Sequence, residues 1–414
     1  MTSMIESTPR GSGQQAGERY YRMPWQVLTI GLLMAFGMWL PLLVVPTVED
    51  VIGEQLAISH TLTALLFSGP VAMLALVAIP GGLLTDKIGI KRAVGIGALV
   101  LAAGSALRGL SPNFATLMGF TLVYGLGLGL CFPNLPKLAR HCTPRERSSI
   151  TVGMFTVAVL VSGAVSLTTA RPLLFPVTHS FEGVFFISSI PAIAAALLWW
   201  IFIRDPPCES AGVQTVSLVL ASLRKTVSRT DLWLVSVLFL LHNIVLYTML
   251  GWMPAFLVSI GAETATAGLI TSVSLWAGTL SILFLTRLST RLGRRKPFLW
   301  GPSILLTFAS YAVLLVNVPA SWVLMFFIGV AAAIRFAMTL ALPVEMVGPE
   351  QSGSASGLVM SVGYVGALAG PVISGIILDS TGSFRSVFIS LAAVSALTTA
   401  VAFVIPETGR ETRK

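Results

Sequence analysis

Long apolar runs dominate this chain, and each is separated from the next by a short polar stretch. A helix needs about 20 predominantly apolar residues to cross roughly 30 Å of hydrocarbon. With 55% hydrophobic and 10% charged residues, the composition lies outside the range of soluble domains. The runs predict twelve membrane-spanning helices, at approximately 25–46, 60–84, 92–110, 113–138, 149–172, 183–203, 232–257, 265–288, 298–316, 320–345, 354–378 and 385–405.

The basic residues predict how these helices are oriented. Lys and Arg are retained in short loops on the cytoplasmic side, whereas acidic residues count little. If the N-terminus is inside, all but four of the 26 Lys and Arg residues lie in inner loops and tails. Of the exceptions, Arg108, Arg171 and Arg385 lie near predicted outer helix ends, where a long side chain can snorkel to water. The fourth exception is Arg335.

This distribution predicts a multi-pass protein of the cell (inner) membrane with both termini in the cytoplasm. Residues 1–22 are polar and show no signal-peptide pattern, so the first helix is expected to stay in the protein. The net charge of +9 follows from this topology, and binding to nucleic acid is not expected. The protein is expected to be a monomer surrounded by the lipid bilayer.

The chain divides into two similar halves. The longest internal polar stretch, 204–230, separates six predicted helices from six. Gly89 in GGLLTDKIGIKR corresponds to Gly293 in TRLSTRLGRRKP, and Pro136 corresponds to Pro343. The two offsets are nearly equal, which indicates a duplicated six-helix unit. The predicted divisions are a tail at 1–24, a bundle at 25–203, a linker at 204–230, a bundle at 231–405 and a tail at 406–414.

The motif GGLLTDKIGIKR resembles the loop between the second and third helices of the major facilitator superfamily, and the ending VIPETGRE resembles the segment after its last helix. The resemblance implies an all-α membrane protein with twelve transmembrane helices in two pseudo-symmetric six-helix bundles. It also implies a latch that holds the bundles together in the outward-open state. The latch residues would be Gly82, Asp86, Lys87, Gly89, Lys91 and Arg92.

The physics of the motif agrees with a latch. An acid at an inner helix end can pair with basic residues or with the positive N-terminus of a facing helix. In the second half Thr290 stands at the position of Asp86, so a latch there lacks its acid. The alternative is a charged loop that only sets the topology.

Arg335 and His242 are the ionisable residues in the middle of predicted spans. Placing an arginine in hydrocarbon costs about 2.5 to 3.5 kcal/mol on insertion scales, so one found there usually faces a cavity or a partner. The nearest acid on the same helix, Glu345, lies roughly 15 Å further along and is too far away to pair. The superfamily resemblance places both helices around a central cavity, where Asn243 adds a polar group. A cation without an acid predicts an anionic substrate.

Four aromatic residues, on this and other predicted spans, could also line this cavity. The predicted substrate-binding residues are therefore Arg335, His242, Asn243, Tyr124, Trp39, Tyr247 and Tyr364. The alternatives are a structural role for Arg335, a packing role for His242, and ordinary core positions for the aromatic side chains.

The sequence thus predicts a secondary active transporter that moves a small anion, either an inorganic monovalent anion or an organic carboxylate, by alternating access. The span organisation and the RDPP after the sixth span loosely resemble the cyanate transporter branch. Coupling to a proton at His242, exchange for a counter-anion and uniport all stay open at this point.

Efflux of a drug or another lipophilic solute by proton antiport is the alternative function. Such carriers usually have an arginine where this chain has Thr121, and a Gly-Pro element that is missing from its fifth span. A non-transporting sensor would normally need a signalling domain. An enzyme is not expected, because the four histidines lie at different depths and no HExxH or CxxC motif occurs. No metal or cofactor is expected, since the three cysteines match no zinc pattern.

Overall fold

The computed structural model describes residues 25–142, 145–203, 225–347 and 351–408. Within these ranges the long helices, numbered here α1 to α12, are Trp25–Leu43, His60–Ile88, Ile90–Leu107, Phe114–Cys131, Arg145–Thr169, Phe181–Phe202, Thr230–Ser259, Thr264–Leu292, Pro297–Ala312, Val318–Met346, Ser352–Thr381 and Phe384–Val404. The predicted N-terminal tail, most of the predicted linker and the end of the C-terminal tail lie outside the described residues.

The predicted spans correspond to these helices, and the largest differences in length are at α9 and at α4, which ends at Cys131 and is followed by a 3-10 turn and the short helix Leu135–Cys142. Among the described residues, 11 helices are long and apolar enough to cross a membrane. The remaining helix, α9, has 16 residues, or about 24 Å at 1.5 Å per residue, and is shorter than the predicted span 298–316. After Ala312 the chain continues in turns, in which the amides of Leu314 and Leu315 donate to the carbonyls of Tyr311 and Ala312. The next helix, α10, begins where the Asn317 side chain accepts a hydrogen bond from the Ala320 amide.

The helices pack into two bundles whose pairings repeat. Contacts within the first bundle join α1 to α5, α1 to α6, α2 to α4, α3 to α4 and α3 to α6. The second bundle has the corresponding pairs, α7 to α11, α7 to α12, α8 to α10, α9 to α10 and α9 to α12. Between the bundles, α2 packs on α11 and α5 packs on α8, and the same symmetry exchanges these two contacts. This is the two-bundle, all-α fold expected from the sequence.

Glycines allow the closest of these contacts. A Cβ added to Gly127 on α4 would overlap the backbone nitrogen of Leu101 on α3. A Cβ added to Gly366 on α11 would overlap the carbonyl oxygen of Leu240 on α7. The glycine runs in these spans therefore bring helix backbones into direct contact.

The two ends of the molecule differ in how the bundles meet. At the predicted outer end, where α1 is joined to α2, a Cβ on Gly375 of α11 would lie 2.9 Å from the Cα of Thr61 on α2. At the predicted inner end, where α2 is joined to α3, a Cβ on Gly153, Gly353 or Gly357 would meet no atom of the described residues within 4 Å. Within the described part of the chain, the bundles are thus in contact at the predicted outer end and leave open space beside these three glycines at the inner end.

Candidate functional site

The centre of the second bundle holds a buried pair of polar side chains, Arg335 on α10 and His242 on α7. Arg335 lies about 16 Å from the Met346 end of α10, and His242 lies about 18 Å from the Thr230 end of α7, so both are at similar depth. Both residues are fully buried. The Nε of Arg335 donates a hydrogen bond of 2.7 Å to Nδ1 of His242.

This hydrogen bond determines which groups remain available to a ligand. Arginine only donates, so Nδ1 of His242 must accept and its Nε2 carries the proton. Among the described residues, no group bonds to Nη1 or Nη2 of Arg335 or to Nε2 of His242. The pair therefore offers three nitrogen donors and a positive charge, all buried and unpaired.

Aromatic rings hold the imidazole of His242 in place. Phe239 stacks on it with ring centroids 6.1 Å apart and an interplanar angle of 9°, and Phe336 lies 5.8 Å away. Tyr364 on α11 packs edge-on against Phe239 at 5.8 Å. Neither phenylalanine was among the predicted site residues, because nothing in the local sequence distinguishes them from other apolar residues of a span.

Asn243, which follows His242 in the sequence, contributes a hydrogen-bond acceptor. Its Nδ2 donates to the carbonyl oxygen of Gly363 on α11 at 3.1 Å, while its buried Oδ1 has no partner among the described residues. A Cβ on Gly363 would overlap the ring of Phe239, so only glycine permits this approach of α11 to α7.

The other predicted residues lie where the bundles meet or inside the first bundle. Tyr247 and Tyr364 are buried and pack with the core of the first bundle, and the Tyr247 ring lies 5.9 Å from that of Phe67 on α2. Trp39 packs edge-on against Phe132 at 5.7 Å. Its indole Nε1 is buried without a partner among the described residues.

Tyr124 has a structural partner that the sequence did not reveal. Its hydroxyl donates to the carbonyl oxygen of Met38 near the end of α1. Above it lies Arg108, which is fully buried, donates from Nη1 to the Pro41 carbonyl at 3.0 Å and covers the ring of Phe185 at 4.1 Å. The expectation that Arg108 snorkels to water is therefore wrong. The helix-end carbonyl and the ring faces of Tyr124 and Phe185 contact its guanidinium inside the bundle, while its Nε and Nη2 have no hydrogen-bond partner among the described residues.

Comparison with known protein families identifies the family of this chain. The family model described as Major Facilitator Superfamily matches residues 27–264 and 257–414. The chain belongs to the major facilitator superfamily. The resemblance inferred from the GGLLTDKIGIKR motif is confirmed, and the chain is a multi-pass membrane protein.

Two transporters of Escherichia coli align along most of this chain. The cyanate transport protein CynX of Escherichia coli (strain K12) is 23% identical, over 82% of this chain and 85% of its own. The 2-nitroimidazole transporter of the same organism is 26% identical, over 84% of this chain and 87% of its own. A solved structure, a bacterial homolog to the human lysosomal transporter Spinster in an inward-facing and occupied conformation, superposes with a TM-score of 0.75 at 15% identity. The superposition covers 94% of this chain and 97% of the Spinster homolog. It shows that the two proteins share a fold.

The superfamily loop motif forms a tight turn between α2 and α3. Gly89 joins the two helices with φ of 88°, a conformation that favours glycine. Lys137 donates from Nζ to the carbonyl oxygen of Gly82 at 3.2 Å, and the Lys91 carbonyl accepts a hydrogen bond from the indole of Trp199. Lys87 and Arg92 are exposed. The side chain of Asp86 is outside the described part of the structure, so the latch stays a prediction.

In the second bundle, Thr290 stands at the position of Asp86 and carries no charge. Two other acids, Glu407 and Glu345, provide negative charge near this loop. The carboxylate of Glu407, in the PETG segment, accepts hydrogen bonds from the amides of Arg295 at 2.7 Å and Lys296 at 3.0 Å. Glu345 accepts from the Nε of Arg295 at 3.0 Å. The loop before α9 is thereby attached to the ends of α10 and α12.

A third polar cluster, called here the outer seam, joins the bundles at the predicted outer end. It consists of Asp379 and Gly375 on α11 with His60 and Thr61 on α2. The Asp379 carboxylate accepts from the amides of His60 and Thr61, each at 3.0 Å, and from the Thr61 hydroxyl at 2.5 Å. His60 also pairs with Glu49 at 2.7 Å. Sequence reasoning missed this cluster, although an acid at the outer end of α11 was a visible signal.

Proposed function

We propose that this chain is a secondary active transporter that moves a small anion, an inorganic monovalent anion or an organic carboxylate, by alternating access. The observation that carries the proposal is the guanidinium of Arg335, fully buried with two unpaired terminal nitrogens. Arginine stays protonated in proteins, and a buried charge without a partner is costly. A bound anion removes that cost by accepting from Nη1 and Nη2 together.

His242 and Asn243 would complete the recognition of this anion. The Nε2 donor of His242 adds a third hydrogen bond, and the Oδ1 of Asn243 accepts from a ligand that carries a hydroxyl or amide hydrogen. In the first bundle, the indole nitrogen of Trp39 is buried without a partner among the described residues, and we propose it as a further donor when the bundles rock around the ligand.

The relatives support this substrate class. One protein aligned along most of the chain is a cyanate transport protein, and cyanate is a small anion with a single charge. The open space at the predicted inner end and the closed outer seam describe one state of the cycle. We place the protein in the inner membrane as a monomer with both termini in the cytoplasm, in agreement with its basic residues.

A neutral planar solute is the second candidate. The 2-nitroimidazole transporter is a relative of similar coverage, and the rings of Phe239 and Phe336 beside His242 suit a flat ligand. Efflux of such a solute by proton antiport would need an acid or a titrating histidine at mid-depth. Every Asp and Glu in the sequence lies outside the middle of the predicted spans, so His242 would have to carry the proton.

Thermal stabilisation of the purified protein tests the proposal. The panel contains cyanate, nitrate, formate and acetate, together with 2-nitroimidazole and a lipophilic cation. A ligand present at about 100 times its Kd stabilises the folded state by about 2.7 kcal/mol. We expect stabilisation by at least one of the anions, complete loss in Arg335→Ala, and almost complete loss in Arg335→Lys, because an ammonium cannot reproduce the planar fork.

Arg385→Ala is the matched control, since Arg385 is exposed at the predicted outer end. It should keep the wild-type response to anions. Stabilisation by 2-nitroimidazole or the cation that persists in Arg335→Ala, with no response to any anion, would refute the proposal and favour the second candidate.

A further inference from the structure

We infer that this protein is an anion exchanger, in which the inward movement of one anion requires the outward movement of another. This inference rests on the proposed function and adds the identity of the coupling ion, a counter-anion of the same charge. Its basis is the charge of the site at Arg335 in its empty and loaded forms.

The empty site carries an uncompensated positive charge. Among the described residues, the Arg335 side chain bonds through Nε to the neutral His242, and no acid pairs with it. The acids closest to the site along the two helices, Glu345 on α10 and Asp231 on α7, lie near the predicted inner end and bond to Arg295 and Arg229. The protein itself therefore supplies no counter-charge at this depth.

Alternating access requires both ends to close over the site at one point in the cycle. The empty site would then enclose the positive charge of Arg335 and two unpaired nitrogens in a medium of low dielectric constant. With a monovalent anion bound, the charge of Arg335 is balanced and its nitrogens are paired. The loaded protein should pass through this step much faster than the empty one, so the return requires a second anion.

The geometry also argues against coupling to a proton at His242. Its Nδ1 already accepts the Nε hydrogen of Arg335, so a proton added there would face another hydrogen. The groups packed on the imidazole are Phe239 from α7 and Phe336 and Arg335 from α10, and none is an acid. Protonation would place two cations side by side and leave the loaded site charged. His242 is thus a positioning residue that turns the Nη nitrogens of Arg335 toward the ligand.

Transport into proteoliposomes distinguishes exchange from the other modes. The probe is radiolabelled cyanate outside, with either unlabelled cyanate or buffer alone inside. For exchange we expect internal cyanate to increase the initial rate of uptake at least tenfold, with no dependence on an imposed proton gradient or membrane potential. Equal rates into loaded and buffer-filled vesicles, or uptake driven by an inward proton gradient, would overturn the inference while leaving the proposed function intact.

Two variants of His242 separate positioning from proton transfer. His242→Asn keeps an acceptor near the Nε of Arg335 but cannot titrate, and His242→Leu removes the acceptor. We expect more exchange in the asparagine variant than in the leucine variant, with the same indifference to the proton gradient as wild type. Exchange that disappears equally in both would contradict the positioning role. Absence of uptake in every arm, with no thermal response to any anion, would refute the proposed function and this inference together.

Discussion

Replacing Asp379 with asparagine should shift the protein away from the conformation described here, because it weakens the outer seam between the bundles. The carboxylate accepts hydrogen bonds from the first two amides of α2 and from the Thr61 hydroxyl. Amides in the first turn of a helix have no partner within the helix. An acid from the other bundle therefore caps the first two amides of α2, and the Ser59 side chain caps the third.

The size of the effect follows from this cap. Loss of a capping side chain costs about 0.5 to 2 kcal/mol, and a charge at a helix N-terminus contributes about 0.3 to 1 kcal/mol when exposed. Asparagine retains one oxygen and loses the charge, and Asp379 is exposed to water. We expect a cost of about 1 to 2 kcal/mol, which changes the ratio of outer-closed to outer-open protein by about 5- to 30-fold.

Spin labels across the seam measure this ratio. Glu54 in the α1–α2 loop and Arg385 at the start of α12 are both exposed at the predicted outer end, and cysteines at these positions report the distance between bundles by pulsed electron resonance. The matched control is Asp50→Asn, which removes an ion pair to Arg171 of 2.9 Å that lies wholly within the first bundle. It should leave the distance distribution unchanged.

The reasoning is refuted if Asp379→Asn retains the wild-type distribution, or if Asp50→Asn shifts it by the same amount. In the first case the seam does not hold the bundles together. In the second, the shift reflects a general loss of charge at this end and not the cap on α2.

Two further predictions concern stability, measured as the thermal unfolding of purified variants. Gly366→Ala should destabilise by about 1 to 3 kcal/mol, because the new methyl group would overlap the Leu240 carbonyl on α7. Gly357→Ala on the same helix meets no atom within 4 Å and should be neutral or stabilising by up to about 1 kcal/mol; similar losses in both would show that backbone contact is not the cause. Glu407→Gln should cost about 1 kcal/mol, since it removes the charge that caps α9 through the Lys296 amide, and an unchanged unfolding temperature would contradict that role.

Much of the fold could be predicted from the sequence because the bilayer acts on each segment separately. In hydrocarbon every backbone polar group must be satisfied within its own helix, so a run of apolar residues is sufficient to place a span. The early ends of α4 at Cys131 and of α9 at Ala312 were not predicted, because hydropathy does not register the local turns that follow them.

The candidate site was only partly predictable. Arg335 and His242 stood out individually, since a polar side chain at mid-depth is costly wherever its helix lies. The hydrogen bond between them joins residues 93 positions apart, and that between Asp379 and His60 joins residues 319 positions apart. Neither pairing follows from local pattern.

The sequence by itself thus determined the membrane environment, the spans, the internal duplication and the unusual residues within the apolar helices. The tertiary structure alone decided which of those residues meet. It paired Arg335 with a histidine and not an acid, buried Arg108 against the end of α1, and capped α2 with an acid of the other bundle. Hydropathy is a property of each residue and its neighbours in the chain, whereas burial and these contacts depend on which helices pack together and at what depth.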